Sequence, residues 1–297
     1  MTDRAQTRAQ PHHRPRTEPR NPATPENNPR TAHKKYKYIT KYIYIISMTH
    51  FFISYAGNKR KEYIHLKNII NFNDTKYIVE PFCGSSALSF AIWQEYGDKF
   101  NYYLSDNDPW LIELYRVFIN NDIEKIENDV TEQMKKITCK NDYIKLLKKD
   151  NKDVIDNFVI KKYSTFRIGL FNHKKKPLFK LSNLQIKFIN FIKSTNVHII
   201  YCDWFKLFNK FKDKKAIIIM DPPYIQGCND FYSEYKSSNV YQFFLLNDMS
   251  NYKSNIYFIL EDNWIIRLLF RDKKIISYDK RYEFSKKKTT HIIINNK

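Results

Sequence analysis

Apolar and polar residues recur along this chain with two periods, and each switch between them marks an element. The run Ala216-Ile217-Ile218-Ile219-Met220 is apolar without a break. Three of its five residues are β-branched, which predicts a strand buried on both faces. Runs at 77–82, 102–105, Val197–Tyr201, Asn255–Glu261, 274–278 and 291–295 predict further strands. Residues 51–54 read as extended, 55–59 as a turn, and a helix follows to about residue 72 on the spacing of Ile64, Ile69 and Ile70. Ala87–Tyr96 reads as a helix, and Asp108-Pro109 opens another with a capping carboxylate and a proline at its first position. Residues 116–195 read as helical and lysine-rich, broken by a loop over 172–180. Strands interleaved with helices predict an α/β fold, a mostly parallel sheet covered on both faces. The last two strands, joined by a short polar stretch, suit an antiparallel hairpin at one edge.

The first 33 residues depart from this pattern, being rich in Arg, Pro, Thr, Asn and Gln and nearly devoid of apolar side chains. Such a stretch buries too little surface to fold. The body is instead rich in Lys, Asn, Ile and Tyr, and Met48 stands just before the first motif. Residues 1–47 are therefore expected to be a dispensable basic leader. A transit peptide is disfavoured by Asp3, Glu18 and Glu26 and by the lack of Ser before residue 47.

Charge narrows the partner. Residues 1–46 hold ten Lys/Arg and three Asp/Glu, a net +7, which leaves +13 of the total +20 for the remainder. The body is thus basic in its own right, and nucleic acid is the expected partner ahead of an anionic membrane surface. No apolar run approaches the ~18 residues that span a bilayer. Cys83, Cys139, Cys202 and Cys228 are scattered, which fits a reducing compartment with neither a zinc site nor a disulfide framework.

The strongest candidate for chemistry is Asp221-Pro222-Pro223-Tyr224, directly after the apolar run. Neither proline can donate to a sheet ladder, so the strand ends in a rigid corner carrying a carboxylate and a ring. In an open α/β sheet, ligands bind at that edge. Such a corner suits a planar heterocycle with an amino group, the ring stacking on Tyr224 while Asp221 and the Pro222 carbonyl accept hydrogen bonds. The plainer reading is a Pro-Pro turn that only ends a strand.

A second constellation surrounds Glu80-Pro81-Phe82-Cys83-Gly84-Ser85-Ser86. Gly84 allows close approach of a ligand to the backbone, and Ser85 or Ser86 can cap the next helix. Asp106 follows Gly84 by 22 residues at the end of a strand. That offset suits the acid that holds ribose hydroxyls in nucleoside-binding α/β folds. Asp203, after another strand, could accept from an adenine amino group. The loop has one glycine and no Lys-[Ser/Thr] pair, which argues against a pyrophosphate and for S-adenosyl-L-methionine.

In this order the motifs resemble the DNA adenine methylase (Dam-type) family. Tyr55-Ala56-Gly57-Asn58-Lys59 resembles its N-terminal aromatic-Ala-Gly-Gly-Lys element and Glu80-Pro81-Phe82-Cys83-Gly84 its cofactor loop. Leu104-Ser105-Asp106-Asn107-Asp108 is similar to its ribose strand, Tyr201-Cys202-Asp203-Trp204 to its Cys-x-Asp-Phe segment, and Asp221 to Tyr224 to its catalytic corner. Phe166-Arg167-x-Gly169 is the one similarity within 116–195. Two departures stand out: Asn58 replaces a Gly, and Ser86 stands where the loop's second Gly is usual, either crowding the cofactor or donating to it.

The resemblance implies a Rossmann-like methyltransferase sheet, with a cofactor half at 48–115, a helical target-recognition insertion at 116–195 and a catalytic half at 196–297. It implies transfer of a methyl group from S-adenosyl-L-methionine to adenine N6 in duplex DNA after base flipping. Asp221, Pro222, Pro223 and Tyr224 would be catalytic, while Tyr55, Lys59, Glu80, Phe82, Gly84, Ser85, Asp106, Asp203 and Asp221 would line the cofactor site. Arg167 and Lys174, Lys175 and Lys176 would contact DNA, or that loop is a solvated basic surface. No metal is implied. The enzyme would work as a monomer wherever the DNA resides, such as the cytoplasm, with a cognate restriction endonuclease as an open partner. Methylation of RNA, or DNA binding without catalysis, are the alternatives.

Overall fold

The computed structural model describes residues 59, 62–164, 171–172, 177–224, 255–281 and 288–295. All lie in one unit, Met48–Lys297. The expected leader over 1–47 lies outside the described residues.

Seven strands form one sheet in the order β3-β2-β1-β4-β5-β7-β6. They are β1 (Tyr77–Glu80), β2 (Asn101–Asp106), β3 (Val197–Tyr201), β4 (Ala216–Met220), β5 (Asn255–Glu261), β6 (Lys274–Arg281) and β7 (Lys288–Asn295). Neighbours from β3 to β5 pair in parallel. β7 alone runs antiparallel, inserted between β5 and the edge strand β6. The expected hairpin is therefore present, with its second strand one place inside the edge. This is the Rossmann-like, doubly wound arrangement, in which the chain reverses direction beside β1 and a crevice opens at the strands' carboxyl ends.

β4 is central and buried throughout. Each fully buried branched side chain contributes about 1.5–3 kcal/mol, so β4 is a well-anchored rail for the residues that follow it. β1 stops at Glu80, two residues short of the expected 82, because Pro81 cannot extend the ladder.

One face of the sheet carries α1 (Tyr63–Leu66), α2 (Ala87–Tyr96), α3 (Pro109–Asn120) and α7 (Asn183–Lys193), whose side chains merge with Ile78, Leu104 and Ile217 into one core. The other face carries α8 (Trp204–Phe211) and α9 (Trp264–Leu269), packed on Val79, Ile218 and Phe258. Between α3 and α7 lie α4 (Ile123–Lys135), α5 (Lys140–Lys148) and α6 (Val154–Tyr163), which reach the sheet layer chiefly through α6 against α3. The Asp108 carboxylate accepts from Trp110 N and Leu111 N, so α3 begins where the Asp-Pro pair predicts.

The helix expected to reach residue 72 is a single turn, α1. Asn71 Oδ1 accepts from Asn73 N at 2.9 Å, and Asp74 takes φ 60°. In this stretch short polar side chains compete with the helical ladder. No described helix is long and apolar enough to cross a membrane.

Candidate active site

Parallel register brings the carboxyl ends of β1, β2 and β4 side by side, so Glu80, Asp106 and Asp221 share one edge. Asp221 is the first residue beyond β4. Its Oδ2 lies 2.6 Å from Lys59 Nζ, and the two side chains are 16% and 7% exposed. Tyr224 Oη donates to Asp221 Oδ1 at 3.3 Å, and the Lys59 ammonium stands 5.1 Å from the centre of the Tyr224 ring. Lys59, expected at the cofactor site, is paired in the structure with Asp221. Pro222 is buried and Pro223 half-buried, which fixes the backbone between acid and phenol.

Burial pushes the Asp221 carboxyl up, and the Lys59 charge opposes that rise. The ammonium in direct contact favours the charged form of the acid. Glu80 differs. Its Oε2 accepts from Ser89 Oγ at 2.5 Å and Ser89 N at 3.3 Å, which clamps β1 to the first turn of α2. Burial, reinforced by the nearby Asp221 charge and offset in part by Ser89, raises it to about 8.

The loop over 81–86 is held by its backbone. Cys83 N donates to Ser105 O at 2.8 Å, Ser86 N to Cys83 O at 2.6 Å, and Ser105 Oγ to Pro81 O at 3.2 Å. Gly84 takes φ 45°, and its N–H donates to Asp106 Oδ2 at 2.9 Å. Asp106 Oδ1 accepts from Asp108 N at 3.0 Å. The acid expected on ribose thus also ties the β1 loop to the β2 loop. Burial raises its carboxyl to about 6, against the pull of these N–H groups.

Ser86 sits at the N-cap of α2 with φ 52° and makes no side-chain cap bond, which corrects the expected capping role. It is fully buried, and Tyr115 Oη lies 3.4 Å from its hydroxyl while donating to Gly84 O at 2.6 Å. The serine that replaces the usual glycine therefore points into the core beneath the loop. Ser85 is buried as well.

At the end of β3, Asp203 is exposed and caps α8, its Oδ1 accepting from Phe205 N at 2.8 Å. Phe82 is half-buried and stacks on Trp204 with ring centres 6.1 Å apart. Tyr55, Arg167, Lys174, Lys175 and Lys176 lie outside the described residues. Among the described residues no group of His, Cys, Asp or Glu is arranged to hold a metal ion.

Sequence reasoning missed Ser89, Tyr115 and His291. Ser89 and Tyr115 lie on helical positions that spacing alone assigns to a core. His291 on β7 is fully buried, meets the Tyr224 ring edge-on at 5.3 Å, and is kept neutral by burial, which lowers it to about 3. Its distance in sequence from the corner left no local signal.

Among solved structures, the rRNA methyltransferase AviRa from Streptomyces viridochromogenes is similar at 11% identity and a TM-score of 0.36, covering 80% of this chain and 83% of that one. No curated protein sequence matches the chain. The family described as D12 class N6 adenine-specific DNA methyltransferase matches residues 55–284. That span is well over half of the chain and holds every motif above, so this protein belongs to the D12 class of N6 adenine-specific DNA methyltransferases.

Proposed function

We propose that the chain binds S-adenosyl-L-methionine at the ends of β1, β2 and β3 and methylates N6 of an adenine flipped out of duplex DNA at the Asp221–Tyr224 corner. The Lys59–Asp221–Tyr224 cluster carries this reading, because it presents an acid and a ring at the sheet edge where the proposed cofactor loop also ends. The donor set fits the cofactor. Gly84 lets it approach the backbone, Asp106 offers a carboxylate to the ribose, Asp203 offers an exposed carboxylate to the adenine amine, and Phe82 supplies an apolar wall. When bound, the cofactor supplies an electrophilic methyl group.

The exocyclic amine of adenine is a weak nucleophile, since its lone pair is delocalised into the ring. Asp221 and the Pro222 carbonyl accept its two hydrogens, draw the nitrogen toward tetrahedral geometry and free the lone pair. Tyr224 holds the purine ring in line. Asp221 then stabilises the positive charge growing on nitrogen and takes or relays the proton. Lys59 keeps Asp221 charged until the amine arrives. A buried amine in a duplex is out of reach, so flipping is required, at a cost of a few kcal/mol that phosphate contacts offset. Arg167 and the Lys174–Lys175–Lys176 run are the proposed source of such contacts.

The test is Asp221→Ala, assayed by tritiated-methyl transfer to genomic DNA from a methylation-deficient host and by calorimetry with S-adenosyl-L-methionine. Transfer should fall by about a thousandfold or more, with cofactor affinity within a few-fold of wild type. Undiminished turnover would sink the assignment of the corner. RNA run in parallel checks the nucleic acid.

A further inference from the structure

A second buried ion pair lies behind the catalytic corner. Glu62 Oε1 and Lys280 Nζ are 2.5 Å apart, their side chains 2% and 16% exposed, and they meet across 218 residues of chain. Neither belongs to a motif legible in the sequence. The Glu62 N–H donates to Lys59 O at 3.1 Å, which couples the ammonium facing Asp221 to the acid facing Lys280. Lys280 and Tyr278 lie two residues apart on β6 and share a face. Tyr278 is the register partner of His291, with ring centres 5.8 Å apart, and His291 meets Tyr224. Tyr224 returns to Asp221, and Asp221 to Lys59.

These contacts and the shared face of β6 link both ion pairs to the corner that holds Asp221. His65 stacks on Tyr278 at 4.4 Å. Glu62 Oε2 and the Tyr278 hydroxyl are buried without hydrogen-bond partners. Leaving polar atoms so placed is costly, and apolar side chains would pack such a layer more stably if it served the fold alone.

We propose that Glu62 and Lys280 are positioning residues for methyl transfer: their pair holds Lys59 against Asp221 from behind, and their opposite charges balance the field in which Asp221 stays ionised. The proposal rests on the reading of Asp221 as the group that receives the amine's hydrogens. The charged and titratable groups around Asp221 are Lys59 and Glu62 from the N-terminal turn, Glu80 from β1 and Tyr224 from the corner. Among the described residues, Tyr278 and Lys280 from β6 and His291 from β7 also stand in this cluster. Of the two partners, Lys280 draws the Asp221 carboxyl down and Glu62 pushes it up.

The experiment is the pH profile of kcat/KM for three variants, each checked for folding by circular dichroism. Lys280→Met removes a cation facing Asp221, so the acid limb moves to higher pH. Glu62→Gln removes a negative charge near Asp221, so the limb moves to lower pH; each shift should be on the order of one pH unit. In the double variant Glu62→Gln/Lys280→Met the shifts cancel, yet kcat falls about tenfold at unchanged KM for the cofactor, because Lys59 and Asp221 lose their backing.

Purely structural residues would lower activity at every pH and leave the limb in place. Folded single variants whose limbs move together, or not at all, overturn the proposal. If a single variant does not fold, the double decides: a fall in kcat of about fivefold or more supports positioning, and a smaller fall overturns it. A double variant that fails to fold also counts against it, since the pair would then serve folding. Wild-type enzyme in the same assay separates the two readings. No transfer by wild type removes the proposed function itself, whereas normal transfer with unmoved limbs removes only this inference.

Discussion

In the proposed reaction Asp221 accepts hydrogen bonds from an amine, which its charged form does best, and it stands beside a second acid, Glu80, that is held differently. The difference is one contact. Asp221 touches an ammonium, whereas the Glu80 oxygen meets a hydroxyl and an N–H of Ser89. Neutral Glu80 also spares Asp221 a like charge. Because Glu80 rises from 4.5 in the unfolded chain to about 8 in the fold, its contribution to stability is fully present below about pH 4.5 and is lost as pH rises through about 8. Glu80→Gln has no proton to lose. Relative to wild type it should therefore gain on the order of 2–4 kcal/mol between pH 5 and pH 9. Urea melts of both proteins across that range check this, and parallel pH curves would refute it. The motif Glu80-Pro81-Phe82 was legible as a candidate cofactor loop; that its acid is neutral was not, because this depends on burial beside Asp221, which only the tertiary fold supplies.

Among the elements, the loop between β1 and α2, the proposed cofactor surface, is held in place before any ligand arrives. Gly84 and Ser86 both hold positive φ, and Tyr115 on α3 grips the carbonyl between them. Tyr115→Phe removes the donor to a buried carbonyl, which should cost about 1–3 kcal/mol of stability and weaken S-adenosyl-L-methionine binding several-fold at nearly unchanged kcat. Calorimetry and steady-state kinetics on the same preparation distinguish this from a general loss of activity. Ala87–Tyr96, Val197–Tyr201, Ala216–Met220 and Asn255–Glu261 begin and end where apolar periodicity predicts them. The overlong helix after Lys59 marks the limit of that reasoning. Three isoleucines at helical spacing say nothing of the asparagine side chains that turn the chain back.

Across the whole chain, charge has a thermodynamic consequence. A net +20 with a lysine run at 174–176 makes the affinity for DNA strongly salt-dependent. Replacing Lys174, Lys175 and Lys176 by Gln should weaken DNA binding and reduce the slope of log affinity against log salt by about one per lysine. Cofactor affinity, read by calorimetry, should not change. Anisotropy titrations over a range of salt measure this; an unaltered slope would show the run to be a solvated surface.

The succession of strands and helices along the chain, the corner after β4 and the offset from Gly84 to Asp106 were all written locally, in periods, prolines and spacings, because buried strands and tight turns impose constraints on neighbouring residues. Those local constraints place three acids on one edge. Which acid is charged, and what holds it, depends on partners brought together from afar: Lys59 to Asp221, Glu62 to Lys280, Tyr224 to His291. Ionisation follows burial and the nearest opposite charge, and both exist only once β4, β6 and β7 lie side by side.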